Sequence, residues 1–88
     1  MSYKVFLHPK AAEALKRFNP SLRVKVKDRL KELKASPEER QRLKYSPFYR
    51  LRMGDYRAIY EVDREGGKVI VLFIGHRRKV YDDFSKLL

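Results

Sequence analysis

The chain has 88 residues, with 22 Lys/Arg against 11 Asp/Glu, a formal net charge of +11 and no cysteine. That length fits one domain, residues 1–88, and excludes a two-domain enzyme; a domain this small buries about 60–65% of its unfolded surface, so its core must be tight. The absence of cysteine excludes disulfides and thiolate metal sites, while 38% charged beside 43% hydrophobic residues describes a chain that can fold.

No long apolar run and no basic-then-apolar leader occurs, which predicts a soluble, cytoplasmic chain with no membrane partner. The basicity is not a tail: residues 1–40 hold eleven Lys/Arg and five acids, and residues 41–88 hold eleven and six. Self-repulsion of this size opposes folding. The surface is therefore either simply solvated or built for a polyanion, such as nucleic acid or an acidic protein.

Tyr3 to Leu7 alternates and predicts a first strand. Pro9 fits the first position of a helix with His8 before it as a cap, and Ala11, Ala14, Leu15 and Phe18 give that helix an apolar face. Asn19-Pro20 repeats the start signal. It opens a second helix to about Ala35, with Leu22, Val26, Leu30 and Leu33 on one stripe. Ser36-Pro37 ends it, and Glu38 to Lys44 reads as a polar loop. From Phe48 the period changes to two, giving strands over about 48–53, 56–62 and 68–75, with Gly66-Gly67 turning the second hairpin. Val69 to Ile74 is apolar on both faces and predicts an interior strand. Val80 to Leu88 reads as a short helical tail with Val80, Phe84, Leu87 and Leu88 at near-helical spacing. The order is β-α-α-β-β-β with a short C-terminal helix. It describes an α+β domain with a mainly antiparallel four-stranded sheet and helices packed on one face.

The stretch YRLRMGDYR, residues 49–57, carries three arginines in one hairpin. Gly54-Asp55 fits a two-residue type II′ loop. Counting back from it, Met53 faces Tyr56, Arg52 faces Arg57, Leu51 faces Ala58, Arg50 faces Ile59 and Tyr49 faces Tyr60. Paired residues share a face. One face then takes Tyr49, Leu51, Met53, Tyr56, Ala58, Tyr60 and Val62 under the helices. The other is a basic floor of Phe48, Arg50, Arg52, Arg57, Ile59 and Glu61. Like charges directly opposite destabilise a sheet, so the Arg52–Arg57 pair points to an anion, and guanidinium forks match phosphate oxygens. The plainer alternative is that both arginines splay into solvent, partly offset by Glu61.

A second cluster, GHRRKVY (75–81), follows the interior strand and places His76, Arg77, Arg78 and Lys79 at the sheet's end, with Tyr81 behind them. Arginine beside tyrosine suits single-stranded RNA, whose phosphates take charge and whose bases stack. The plainer alternatives are an exposed or capping His76 and a Tyr81 that packs the tail. The two histidines lie 68 positions apart (76 minus 8) with no acidic cluster, and no Gly-rich phosphate loop or Ser/His/Asp set occurs. No metal or small-molecule cofactor is expected. A reaction here would have to be metal-free, and cleavage by RNA's own 2′-hydroxyl is the natural candidate, since the protein then need only align the attack, stabilise phosphorane charge and manage protons.

The strand-helix-helix start, YRLRMGDYRAIYEV and GHRRKVYDDF together resemble the RelE/ParE toxin superfamily, and among its branches the RelE-type mRNA interferases. The resemblance spans essentially the whole chain. It implies a RelE-like, microbial-RNase-like fold and a toxin held by a RelB-like antitoxin. It also implies metal-independent cleavage of mRNA in the A site of a 70S-type ribosome, which inhibits translation. By motif it implies Arg57 as a phosphate-binding arginine, Arg77 at the leaving group or transition state, and Tyr81 stacking on a base or orienting the 2′-hydroxyl. Arg50 and Arg52 match two positions that are lysine in the best-studied branch. Arginine is a poor general base, so proton transfer would fall to His76 or Tyr81. The site expected from sequence is thus Arg57, Arg77, Tyr81 and Arg52 as catalytic, with Arg50, Arg52, Arg78, Lys79 and His76 binding RNA. Two other functions remain open at this point: a ParE-type inhibitor of DNA gyrase, and a basic RNA- or ribosome-binding module with no chemistry.

Overall fold

The computed structural model describes residues 2–43 and 46–81. β1 (Lys4–Leu7) leads into α1 (Pro9–Arg17) and α2 (Pro20–Lys31). Both helices start as their sequences dictate. His8 Nδ1 accepts from the Lys10 amide at 3.2 Å, and Asn19 Oδ1 accepts from the Leu22 amide at 2.8 Å, each with proline in the first turn. α2 ends at Lys31, short of the expected Ala35, and tightens into a 3₁₀ turn over Glu32–Lys34. Leu33 nevertheless stays fully buried, so the apolar stripe continues across the change of helix type.

A second 3₁₀ turn, Pro37–Glu39, precedes β2 (Gln41–Arg42), β3 (Tyr49–Met53), β4 (Tyr56–Asp63) and β5 (Lys68–His76). The sheet has five strands, in the order β1-β5-β4-β3-β2. β1 runs parallel to β5, and the other neighbours are antiparallel. The fold class is the expected one, but the sheet gains β2 where a loop was predicted. β2 is two exposed polar residues on an edge, and it carries no alternation for a sequence reading to detect. The helical tail predicted for Val80 to Leu88, with Phe84, Leu87 and Leu88, lies outside the described residues beyond Tyr81.

The β3–β4 register is the predicted one throughout, from Met53–Tyr56 to Tyr49–Tyr60. Gly54 has φ +66°, the positive value that the first position of a type II′ turn requires. The β4–β5 hairpin closes at Asp63–Lys68, so its connection is the four residues 64–67 rather than Gly66-Gly67 alone.

β5 resolves its own ambiguity with a bulge. Ile59 pairs with Phe73 and Tyr60 with Val71, leaving Leu72 as the extra residue. Val69, Val71 and Ile74 therefore face the helices, where they join Leu51, Met53, Ala58 and Tyr60 with Ala11, Leu15, Val26, Leu30 and Leu33 in the main core. Phe73 faces the other way and forms a second, smaller core with Ile59 and Val80. This explains a strand that is apolar on both faces.

Candidate functional site

The face opposite the helices holds Arg50, Arg52 and Arg57, as the hairpin register requires. It is not the open floor expected. After β5 the chain turns through residues 77–79 and returns over this face, burying Val80 against Ile59 and Phe73, with Phe48, Leu72 and Tyr81 packed around them. Val80 crosses over Gly75, which pairs with Arg57: a Cβ built at Gly75 would lie in ordinary contact with Val80 at 3.6 Å.

Arg57, whose β5 partner Gly75 lies under Val80, is buried at 6% exposure and is the only charged side chain buried among the described residues. Its Nη1 donates to the Gly54 carbonyl at 2.6 Å and to the Tyr56 carbonyl at 2.8 Å. A buried guanidinium needs such partners. These two hold it against the turn of its own hairpin and fix its plane, which is fixed placement of a positive group rather than a solvated, splayed one. Arg52, its cross-strand neighbour, is exposed; its carbonyl accepts from Arg29 Nη2 at 2.8 Å, which ties β3 to the end of α2.

Arg50 and Tyr81 meet. Arg50 Nη1 donates to the Tyr81 hydroxyl at 2.8 Å, joining β3 to the returning chain across 31 positions of sequence. Arg50 Nη2 also donates to Gln41 Oε1, and Arg50 Nε is buried with no partner among the described residues. Tyr81 thus both packs on the smaller core, the plainer of its two expectations, and presents its hydroxyl to an arginine. Arg77 stands at the same end of the sheet. Its amide donates to the Asp55 carbonyl at 2.8 Å, so the hairpin tip positions it, and its side chain is exposed. Arg78 and Lys79 are exposed on the turn.

His76 does not join the cluster. It pairs with Tyr56, a residue of the helix-facing side, and its ring lies edge-on to Tyr56 at 5.6 Å. Its Nδ1 accepts from the Arg78 amide at 3.3 Å, a capping role. The bulge at Leu72 and the strict pairing of β4 with β5 put it on the wrong face to share a ligand with Arg50, Arg52 and Arg57. His8, as expected, is a cap. Among the described residues no group of three or more His, Cys, Asp or Glu could hold a metal ion.

Two residues at the site escaped the sequence reading. Gln41 lies in a charged stretch with no period, and only the pairing of β2 with β3 reveals it. Arg29 sits on a helix face rich in other cations, where nothing in the sequence singles it out.

The described residues thus form a small basic domain with two helices on one face of an antiparallel-rich sheet and arginines with a tyrosine on the other. Residues 5–81 match the family model described as ParE toxin of type II toxin-antitoxin system, parDE, and the chain belongs to that family, within the RelE/ParE superfamily. It is similar to a free-state arginine double mutant of the E. coli toxin RelE, with a TM-score of 0.80 and 26% identity over 100% of this chain and 99% of that one. It is similar also to the toxin-antitoxin complex RelBE2 of Mycobacterium tuberculosis, with a TM-score of 0.76 and 25% identity over 88% of this chain and 100% of that one. The intact E. coli RelBE complex matches at a TM-score of 0.75 and 28% identity, over 85% of this chain and 96% of that one. A search of curated protein sequences gave no match. The chain is a toxin of a type II toxin-antitoxin system of the RelE/ParE family.

Proposed function

We propose that this toxin is a ribosome-dependent, metal-independent endoribonuclease that cuts mRNA in the A site by attack of the RNA's own 2′-hydroxyl, in the cytoplasm. One observation supports this most: Arg50 holds the Tyr81 hydroxyl on the same sheet face as the opposed Arg52–Arg57 pair. In-line attack on a phosphodiester needs alignment and a fixed positive environment where phosphorane charge develops. In this reading Arg57, clamped by its turn, stabilises that charge, and Arg52 and Arg50 hold the flanking phosphates. Arg77 faces the leaving 5′-oxygen, and Tyr81 orients the 2′-hydroxyl. Arginine does not give up its proton and His76 lies on the other face, so the 2′-hydroxyl proton passes by way of Tyr81 or solvent.

A second reading is favoured by the family model that matches, which is that of ParE toxins. In it the same basic site binds DNA gyrase and cuts nothing. The two separate in one experiment. The purified toxin is added to translating ribosomes, with mRNA ends mapped by primer extension, and in parallel to a gyrase supercoiling assay. The nuclease reading expects A-site cuts on ribosome-bound mRNA, few on naked mRNA, and unaltered supercoiling. Inhibited supercoiling with intact mRNA would establish the second reading in its place.

A toxin of this charge is expected to be held by a RelB-like antitoxin, since the similar structures include RelB–RelE complexes from Mycobacterium tuberculosis, Pyrococcus horikoshii and Methanococcus jannaschii. The edge strand β1 and the groove beside it suit an apolar and acidic segment. Val5, Leu7, Leu15 and Leu30 line about 200 Å³, rimmed by Lys27, Lys31 and Lys34.

A further inference from the structure

The linker between α2 and β3 carries little apolar sequence, yet it is pinned at several points. The Tyr60 hydroxyl donates to the Pro37 carbonyl at 2.5 Å from the centre of the sheet. The Tyr3 hydroxyl donates to Glu38 at 3.0 Å, and Arg64 pairs with the same carboxylate. Arg40 pairs with Glu32 at 3.1 Å, and Glu32 takes Arg29 as well, at 2.6 Å. The next residue along is Gln41, set directly opposite Arg50 in the β2–β3 ladder.

Arginine only donates hydrogen bonds, so the Gln41 side chain turns its oxygen to Arg50 Nη2. Nη1 of the same group goes to Tyr81, and Nε is buried without a partner among the described residues. A buried unpaired N–H is unfavourable, and a guanidinium free to turn would relieve it. It is a rigid planar fork, so an acceptor on each terminal nitrogen fixes the whole plane.

We infer that Gln41 is a positioning residue: its side-chain oxygen sets the plane of the Arg50 guanidinium and, through it, the place of the Tyr81 hydroxyl. The effect on rate rests on the RNA-cleavage reading, while the effect on Arg50 does not. Gln41 lies outside the segments that carry the family resemblance, and it is exposed, so its replacement leaves the fold in place.

The test uses the full chain as Gln41→Ala and Gln41→Glu, with two readouts. The first is NMR of the Arg50 guanidinium. The parent and the glutamate variant, which keeps an acceptor oxygen, give separate Nη1 and Nη2 signals from slow rotation, and the alanine variant gives averaged ones. The second is mRNA cleavage on programmed ribosomes over a range of toxin concentrations. Gln41→Ala lowers the saturating rate about tenfold and leaves the half-saturating concentration within about twofold, because orientation rather than binding is lost. Gln41→Glu recovers most of that rate. Separate Nη signals in Gln41→Ala overturn the inference. So does a parent-like saturating rate, or a loss confined to the half-saturating concentration, which would make Gln41 a binding residue. If the parent itself cuts no mRNA, the cleavage reading falls, and the Arg50 signals still decide whether Gln41 holds the guanidinium.

Discussion

Arg57→Ala and Arg77→Ala should each lower A-site cleavage on the order of 10²–10³-fold, the usual effect of removing one donor from a developing oxyanion. They should differ in stability. Arg57 is buried, and its Nη1 serves the carbonyls of Gly54 and Tyr56. Its removal takes one donor from each and empties a buried site, and is expected to destabilise the fold by about 1–3 kcal/mol. Arg77 is exposed, and its amide, not its side chain, makes the bond to Asp55. Arg77→Ala should therefore unfold within about 0.5 kcal/mol of the parent. Urea titration beside single-turnover cleavage checks both. Parent-like cleavage by a folded Arg77→Ala variant would remove that residue from the site. Parent-like cleavage by Arg57→Ala would make the buried arginine a clamp for the hairpin and nothing more.

Tyr60 carries the largest expected effect on stability. It is fully buried, stacks on Tyr49 at 5.5 Å, and donates to Pro37. Burial holds its phenol well above the ordinary tyrosine range, so it remains a donor at any working pH. Tyr60→Ala should cost about 3–5 kcal/mol through the cavity it leaves. A small domain has roughly 5–15 kcal/mol in all, so much of that variant should be unfolded at 37 °C. Tyr60→Phe keeps the ring and loses the hydroxyl, for about 1–2 kcal/mol. Because Pro37 anchors the linker that carries Gln41, the phenylalanine variant should also cut more slowly while folded. A Tyr60→Phe protein with unchanged stability and unchanged cleavage would show that the linker does not depend on this bond.

What was legible in the sequence follows from which signals are local. Proline with a preceding cap fixes the start of each helix. Gly54-Asp55 fixes a turn, and the turn fixes five cross-strand pairs, Arg52–Arg57 among them. The position of His76 was not legible, because the bulge at Leu72 changes the parity of β5 and no residue type announces it. The cover over this face, packed on Ile59 and Phe73, was not legible either. It depends on Val80 folding back across Gly75, a long-range contact that leaves no periodic trace. Gln41 depends on the pairing of two exposed polar residues, where neither propensity nor pattern selects a strand. The charge of the site could be read from sequence, but the way it is held could not.

The chemistry of the cut ends tests the central proposal most directly. Ribosomes stalled with a defined codon in the A site are treated with the toxin, and both new ends of the mRNA are characterised. Attack by the 2′-hydroxyl predicts a 2′,3′-cyclic phosphate on the upstream fragment and a 5′-hydroxyl on the downstream one, formed within the A-site codon and reduced at least 10²-fold in Arg77→Ala. Intact mRNA, or ends bearing a 5′-phosphate and a free 3′-hydroxyl, would contradict it.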